Sequence, residues 1–600
     1  MASRPSAETA VEGTSEKPAI PASSAEAVKA GDKKAVDGSQ VQVSTVGRDG
    51  FYDPKQETVW TRLGLTAESF KRAPGTTGGQ TDPMLQQQMK NRHLNMIAVG
   101  GSIGTGLFIG SGSALGDGGP LGILIAWIIM GVMLLNTCQA IGEMAIMYPV
   151  SGGFYTLISR FVDPSWGFAM GWNYWFQWAV TLPLELTAAA FTIQFWDTQG
   201  TVNIAVWITI FTVLIFILNV FGTWGFAEEE FWSSCLKLIT IAIFLIASLV
   251  FVLGGGPKSG DYGSYWGARL WHDPGALANG FPGVCAVFVT AAFSFAGTEL
   301  VGLAATEHPN PIKALPSAIK MTFWRITFVF VLSLMMVGFL VPYNDERLIG
   351  GSYDANTSPF VLVFRNANVS GLPDFINAVI TVSVLSIGMS CVYGGSRTML
   401  AMAEQGYAPK FFTYVDKAGR PLWALASVLV FFPLAYINIA DVGTTVFDWL
   451  IAVSGLATIF TWLSINIAHI RFRMAWKAQG YSVDELPFRA LGGIWGSVLG
   501  ATILILVLIA QVYIAIWPLG GVSSSSERAE SFFMAYLALP IVIAFYLVGL
   551  IWLRRKPKGL LEIDLVSGRK CHYSADELNE QRAKRKQWPL GKRIIHALFQ

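Results

Sequence analysis

Apolar runs long enough to cross a bilayer recur along most of the chain. A helix needs about 20 apolar residues to span the hydrocarbon. Residues 118–142, 198–227 and 274–298 carry no Asp, Glu, Lys or Arg at all. The pattern predicts an all-α polytopic membrane protein with about twelve spans. These fall at roughly 95–116, 121–147, 168–196, 203–221, 231–254, 283–306, 320–342, 374–402, 421–440, 444–470, 495–518 and 531–553. Residues 1–90 are polar and rich in Ser, Ala, Gly, Lys and Glu, and read as a disordered tail. The organisation expected is therefore a tail (1–90), a core of ten spans (91–470), two further spans (471–553) and a second tail (554–600).

Lys and Arg in short loops set orientation. With a cytosolic N-terminus, the inside loops hold Arg160, Lys313, Lys320, Lys410, Lys417, Arg420, Arg471, Arg473, Lys477 and Arg489. The outside loops hold Lys258, Arg269, Arg347, Arg365 and Arg528. Ten against five, with Arg554, Arg555, Lys556 and Lys558 following the last span, places both termini in the cytosol. The sequons at Asn356 and Asn368 then share one outside loop, where glycosylation is permitted.

Composition agrees and removes alternatives. Apolar residues make up 52% of the chain and charged residues 14%, against about 25% charged in soluble domains. A net charge of +2 gives no footprint for nucleic acid. The five cysteines form no CxxC, and no His-Cys-carboxylate spacing or nucleophile–base pair appears. No cofactor, metal or enzymatic activity is expected.

Two spans are interrupted. GGSIGTG (Gly100–Gly106) puts four glycines into seven residues of the first span. Each costs a helix about 1 kcal/mol against alanine. FAGTE (Phe295–Glu299) interrupts the sixth span, and both stretches contain a Gly-Thr pair. They lie five spans apart, so the second enters the membrane inverted. Paired glycine-broken segments point to inverted repeats with a binding site at their interface. Unwound N–H groups at Ser102, Ile103, Gly104, Thr105 and Gly106 suit a carboxylate. Carbonyls freed across Phe293, Ser294, Phe295, Ala296, Gly297, Thr298 and Glu299 suit an ammonium group. Close packing of helices through small residues is the alternative reading of both.

Charges inside spans are costly and default to functional candidates. Glu185 and Glu299 lie near mid-span in the third and sixth. Lys237 lies about two turns into the fifth, where a buried role competes with snorkelling to the interface. Glu143, near the inner end of the second span, reads equally as a gate or a cap. Arg325, Arg397 and His469 lie close to span ends and read as interfacial.

Six motifs occur in order: GGSIGTGLFIGSG (100–112), GEMAIMYPVSGGFY (142–155), FSFAGTELVGL (293–303), VPYNDERLIG (341–350), SRTMLAMAEQGYAPKFF (396–412) and HIRFR (469–473). Across residues 90–555 the chain resembles the fungal amino acid permeases of the amino acid–polyamine–organocation superfamily. The resemblance implies a five-plus-five inverted-repeat transporter with discontinuous helices 1 and 6. It implies proton-coupled import of L-amino acids at the plasma membrane, with protons as the coupling ion. It assigns the substrate carboxylate to Ser102–Gly106, the amine to Phe293–Glu299, and the place of a sodium ion to Lys237. Gln177, Thr181 and Glu185, spaced by four, and Ser454 match side-chain-selecting positions. YWFQWAVTLPLEL (174–186) looks more like broad-range members than basic-specific ones. Narrower permeases for neutral amino acids, proline or basic ones, and amino-acid receptors of the same fold, are the alternatives. The tail lysines Lys17, Lys29, Lys33 and Lys34 are expected to meet ubiquitin ligase machinery. Pro309 and Ile312 in TEHPNPIKALP (306–316) depart from the family's polar or basic pattern, and the terminal HALFQ lacks a lipidated cysteine.

Overall fold

A computed structural model describes residues 65–72, 89–149, 153–197, 199–304, 311–349, 358–439, 443–521, 524–555, 557–569 and 575–593. The tail lysines, Asn356 and the departure at Pro309 lie outside these residues. Among the described residues every regular element is helical, apart from one isolated bridge between Arg72 and Asp416. Seven helical stretches there are long and apolar enough to cross a membrane. An eighth is reached if Ser525–Tyr536 and Ala538–Leu553, bent by 58°, count as one span. Ile204–Val220 and Leu422–Ile437 are shorter apolar helices. The chain is a multi-pass helical membrane protein.

The elements around the centre are α1 (Asn91–Gly100), α2 (Thr105–Phe108), α3 (Gly110–Met147), α4 (Pro164–Gln194), α5 (Gly222–Val252), α6 (Phe288–Phe295), α7 (Leu300–Ala304), α8 (Pro311–Trp324), α9 (Leu372–Glu404), α10 (Gly443–Ala478) and α11 (Gly493–Ile516). α3 is two helices joined at Gly119, whose φ of 71° suits glycine alone, with Pro120 following. The junction falls between the first two predicted spans.

The interior post is α4. Asp163 caps it by accepting the Trp166 N–H at 2.9 Å, and Pro164 opens the first turn. Most of its residues are buried, chiefly against α9, the Ala538–Leu553 helix and α10.

α5 shows how sequence sorts lipid from interior. Trp232, Ile239, Ile246 and Leu253 are 67%, 56%, 67% and 63% exposed, a seven-residue stripe suited to acyl chains. Glu230, Lys237, Phe244 and Phe251, at the same spacing on another face, are all buried.

Beyond the last span, the chain returns to the bundle. Tyr148 Oη donates to Leu565 O at 2.8 Å, and Arg160 Nη1 to Ser567 O at 2.9 Å.

Candidate functional site

Both predicted interruptions exist. α1 ends at Gly100, and helix resumes at Thr105 after Gly104, whose backbone (φ −161°, ψ −142°) is extended. α6 ends at Phe295, Gly297 takes a φ of +89°, and α7 begins at Leu300. The breaks touch. A Cβ on Gly297 would lie 3.3 Å from Gly101 O, and one on Gly106 would lie 2.5 Å from Ser294 Cα. The glycines therefore serve backbone proximity as well as unwinding.

A small cavity lies at this junction. Its lining takes Ser102, Gly104, Thr105 and Gly106 from the first break and Phe293 and Ala296 from the second. α4 supplies Gln177, Trp178, Thr181 and Glu185, and α9 supplies Ile387. All of these except Ala296 are buried.

Polarity is unevenly satisfied. Thr105 Oγ1 donates to Glu185 Oε2 at 2.5 Å, joining the first break to α4. Thr181 Oγ1 donates to Gln177 O at 2.7 Å and lies 2.7 Å from Ser454 Oγ. Ser102 Oγ and both amide atoms of Gln177 are buried with no hydrogen-bond partner among the described residues. Leaving such a group unpaired costs about 1–3 kcal/mol, so these atoms mark where a polar ligand fits.

Several predicted residues stand beside the cavity. Ser454, off the lining, contacts Thr181. Ile103 is buried away from it. Ser294 Oγ donates to Thr290 O at 2.8 Å, and Phe295 packs on Phe330 with centroids 4.6 Å apart. Thr298 Oγ1 donates to Phe295 O at 2.6 Å. Glu299 turns from the cavity to brace its own break. Its Oε1 accepts Gly297 N–H at 3.2 Å and its Oε2 accepts Trp462 Nε1–H at 3.1 Å.

Lys237 is fully buried, so it does not snorkel. Its Nζ donates to Gly100 O at 3.3 Å, at the negative end of α1. Glu143 lies elsewhere, under the cytosolic-side loops of the orientation above. Its Oε1 is 3.0 Å from His469 Nε2, and its Oε2 accepts Arg473 Nη2–H at 2.7 Å and Ala490 N–H at 2.6 Å.

Three residues read as interfacial are instead buried in protein. His469 also meets Ser497 Oγ at 2.8 Å. Arg397 Nη2 donates to Thr223 Oγ1 at 2.8 Å. Arg325 sits at the start of a π-helical stretch (Arg325–Val331) and donates through Nη1 to Ala98 O at 2.7 Å and through Nη2 to Thr298 Oγ1. These side chains reach inward to a carbonyl, a hydroxyl and a carboxylate of distant segments, which position alone does not reveal.

Trp178, Ile387 and Trp462 were not singled out in sequence, because aromatics and aliphatics are ordinary in spans. Glu230 was missed because it was counted in a loop before a span at 231, whereas α5 begins at Gly222.

A buried cavity where two broken helices meet, inside a bundle of apolar spans, defines a membrane transport protein. Residues 93–562 match the amino acid permease family, and the chain belongs to it. It is 51% identical to the amino-acid permease inda1 of Hypocrea atroviridis, over 91% of this chain and 95% of that one. It is 48% identical to the general amino-acid permease GAP2 of Candida albicans (86% and 87% covered). It is 47% identical to the tryptophan permease of Saccharomyces cerevisiae (81% and 82% covered).

Proposed function

We propose that this chain is a proton-coupled symporter that imports L-amino acids of broad range across the plasma membrane by alternating access, through twelve spans in a five-plus-five inverted repeat. The observation that carries the reading is the buried cavity with unpaired Ser102 and Gln177 between two unwound segments. Groups common to every amino acid, carboxylate and ammonium, meet main chain there. Side chains meet α4, whose Gln177 is neutral and tolerant. Lys237 supplies the fixed positive charge that a sodium ion would otherwise bring, and protonation there couples to closure. The N-terminal lysines serve a ubiquitin ligase that sets residence at the membrane.

The test is uptake of labelled amino acids into transport-deficient yeast. Uptake abolished by a proton uncoupler and indifferent to sodium is expected. Uptake that needs sodium and ignores the uncoupler would overturn the proton reading. A narrower range is the second reading, supported by a tryptophan permease of nearly the same identity as a general permease. Competition by a panel of unlabelled amino acids separates the two. A receptor would bind the panel without accumulating any of it.

A further inference from the structure

Glu230 and Lys237 stand two turns apart on the buried face of α5, each with no exposed side-chain surface. Lys237 Nζ is 3.9 Å from Glu230 Oε1, too far for a hydrogen bond but close for charge. The carboxylate is solvated by hydroxyls instead. Its Oε1 accepts Ser234 Oγ at 2.9 Å, and its Oε2 accepts Ser386 Oγ at 2.8 Å and Ser390 Oγ at 3.5 Å, both on α9. An ionised carboxylate only accepts, and three hydroxyl donors suit that form. The lysine's own hydrogen bond goes to Gly100 O, the last carbonyl before the first break. Gly100 is pressed against this same turn, since a Cβ there would lie 1.8 Å from Ser234 Oγ.

Other charges around the pair are few. Glu229 is adjacent, with its Oε2 buried and without a hydrogen-bond partner among the described residues. Glu185 faces across the cavity from α4. From α1, the half-exposed Arg92 and the buried His93 both engage Glu228. Arg397 of α9 is bonded to Thr223, and Arg325 to Ala98 and Thr298. Among the described residues, Lys237 therefore has one fully buried carboxylate within 4 Å, on its own helix.

A buried ion pair returns little net stability over apolar residues of similar volume, so stability alone is a weak reason for it. We propose that Glu230 is a positioning residue for coupling: a fixed counter-charge that keeps the Lys237 ammonium in place while α1 is docked through Gly100. Lys237 then has two partners of different kinds. Gly100 moves with the broken helix, and Glu230 stays with α5 and α9. When α1 leaves, the lysine loses its hydrogen bond but keeps its counter-charge, so the ammonium stays with α5 and does not follow the broken helix. This rests on the proton-coupled reading above.

The test compares accumulation by energised cells with counterflow exchange in proteoliposomes, for wild type, Glu230→Gln, Glu230→Asp, Lys237→Met and the double variant. In Glu230→Gln, accumulation falls about tenfold more than exchange, the effect of removing an opposite charge at this range. Glu230→Asp restores part of the accumulation. The double variant, which has no unpaired buried charge, reaches the membrane better than Glu230→Gln and accumulates no more than Lys237→Met. Wild-type accumulation in Glu230→Gln overturns the inference. So does an equal loss of both activities with no rescue by Glu230→Asp. If Glu230→Gln fails to reach the membrane, a double variant that is equally absent overturns it too. Failure of the proton reading shows separately, as wild-type accumulation that resists an uncoupler.

Discussion

Two buried polar regions of this molecule are built on opposite terms. Around Glu143, His469, Arg473 and the Ala490 N–H bring donors to both carboxylate oxygens, and Ser497 takes the far side of the imidazole. At the cavity, Ser102 and Gln177 are equally buried but leave their polar atoms unpaired. A completed network holds elements in register, joining α3, α10 and the entry to α11. An incomplete one is finished by something that arrives. Burial of polar groups is common to both, so satisfaction is the property that separates a latch from a binding site.

The largest expected effect comes from closing the cavity. Gly297→Val forces a β-branched residue to a φ of +89° beside Gly101 O and shifts both breaks. Misplacement by about 1 Å costs roughly hundredfold or more, so uptake of every amino acid should vanish together. Retained uptake of even one substrate would show that the breaks do not grip the common backbone.

Glu143→Leu should instead strike stability. It leaves the 10%-exposed Arg473 guanidinium without its counter-charge, at a cost of about 3–5 kcal/mol. The detergent-extracted protein should melt well below wild type, while whatever reaches the membrane keeps its substrate order. An unchanged melting temperature, or a reordered substrate panel, would break the contrast between the two regions.

Gln177→Ala removes a partner offered to the ligand, at about 0.5–1.5 kcal/mol per neutral hydrogen bond. Competition constants should change by roughly two- to tenfold and unequally across amino acids. Equal loss for all would make Gln177 a structural residue. Ser454→Ala acts only through Thr181, so its changes should stay near the lower end of that range. A larger effect than Gln177→Ala would place Ser454 at the ligand in the transporting protein.

The breaks were legible because four glycines in seven residues make a poor helix and a Gly-Thr pair recurs five spans on. Gln177, Thr181 and Glu185 were legible through the family resemblance, and their spacing of four places them on one helix face. Satisfaction was not legible. Nothing in the string distinguishes Glu299, spent on Gly297 and Trp462, from Glu185, which lines the cavity. Nor does it show that Arg325 and His469 turn inward, since the carbonyl and carboxylate that draw them belong to distant segments. Glu230 was hidden by a helix start placed nine residues late, an ordinary boundary error with a functional residue inside it.

Arg325 has a mechanical consequence. One guanidinium holds Ala98 O at the end of α1 and Thr298 in the break after α6. Neither segment can swing away without surrendering a bond that also anchors the other. Under the alternating-access reading proposed above, this shared contact ties the two broken helices together and reduces the number of independent ways the cavity can open. A carrier with a single moving part is less prone to leak, because its two doors are not free to stand open at once.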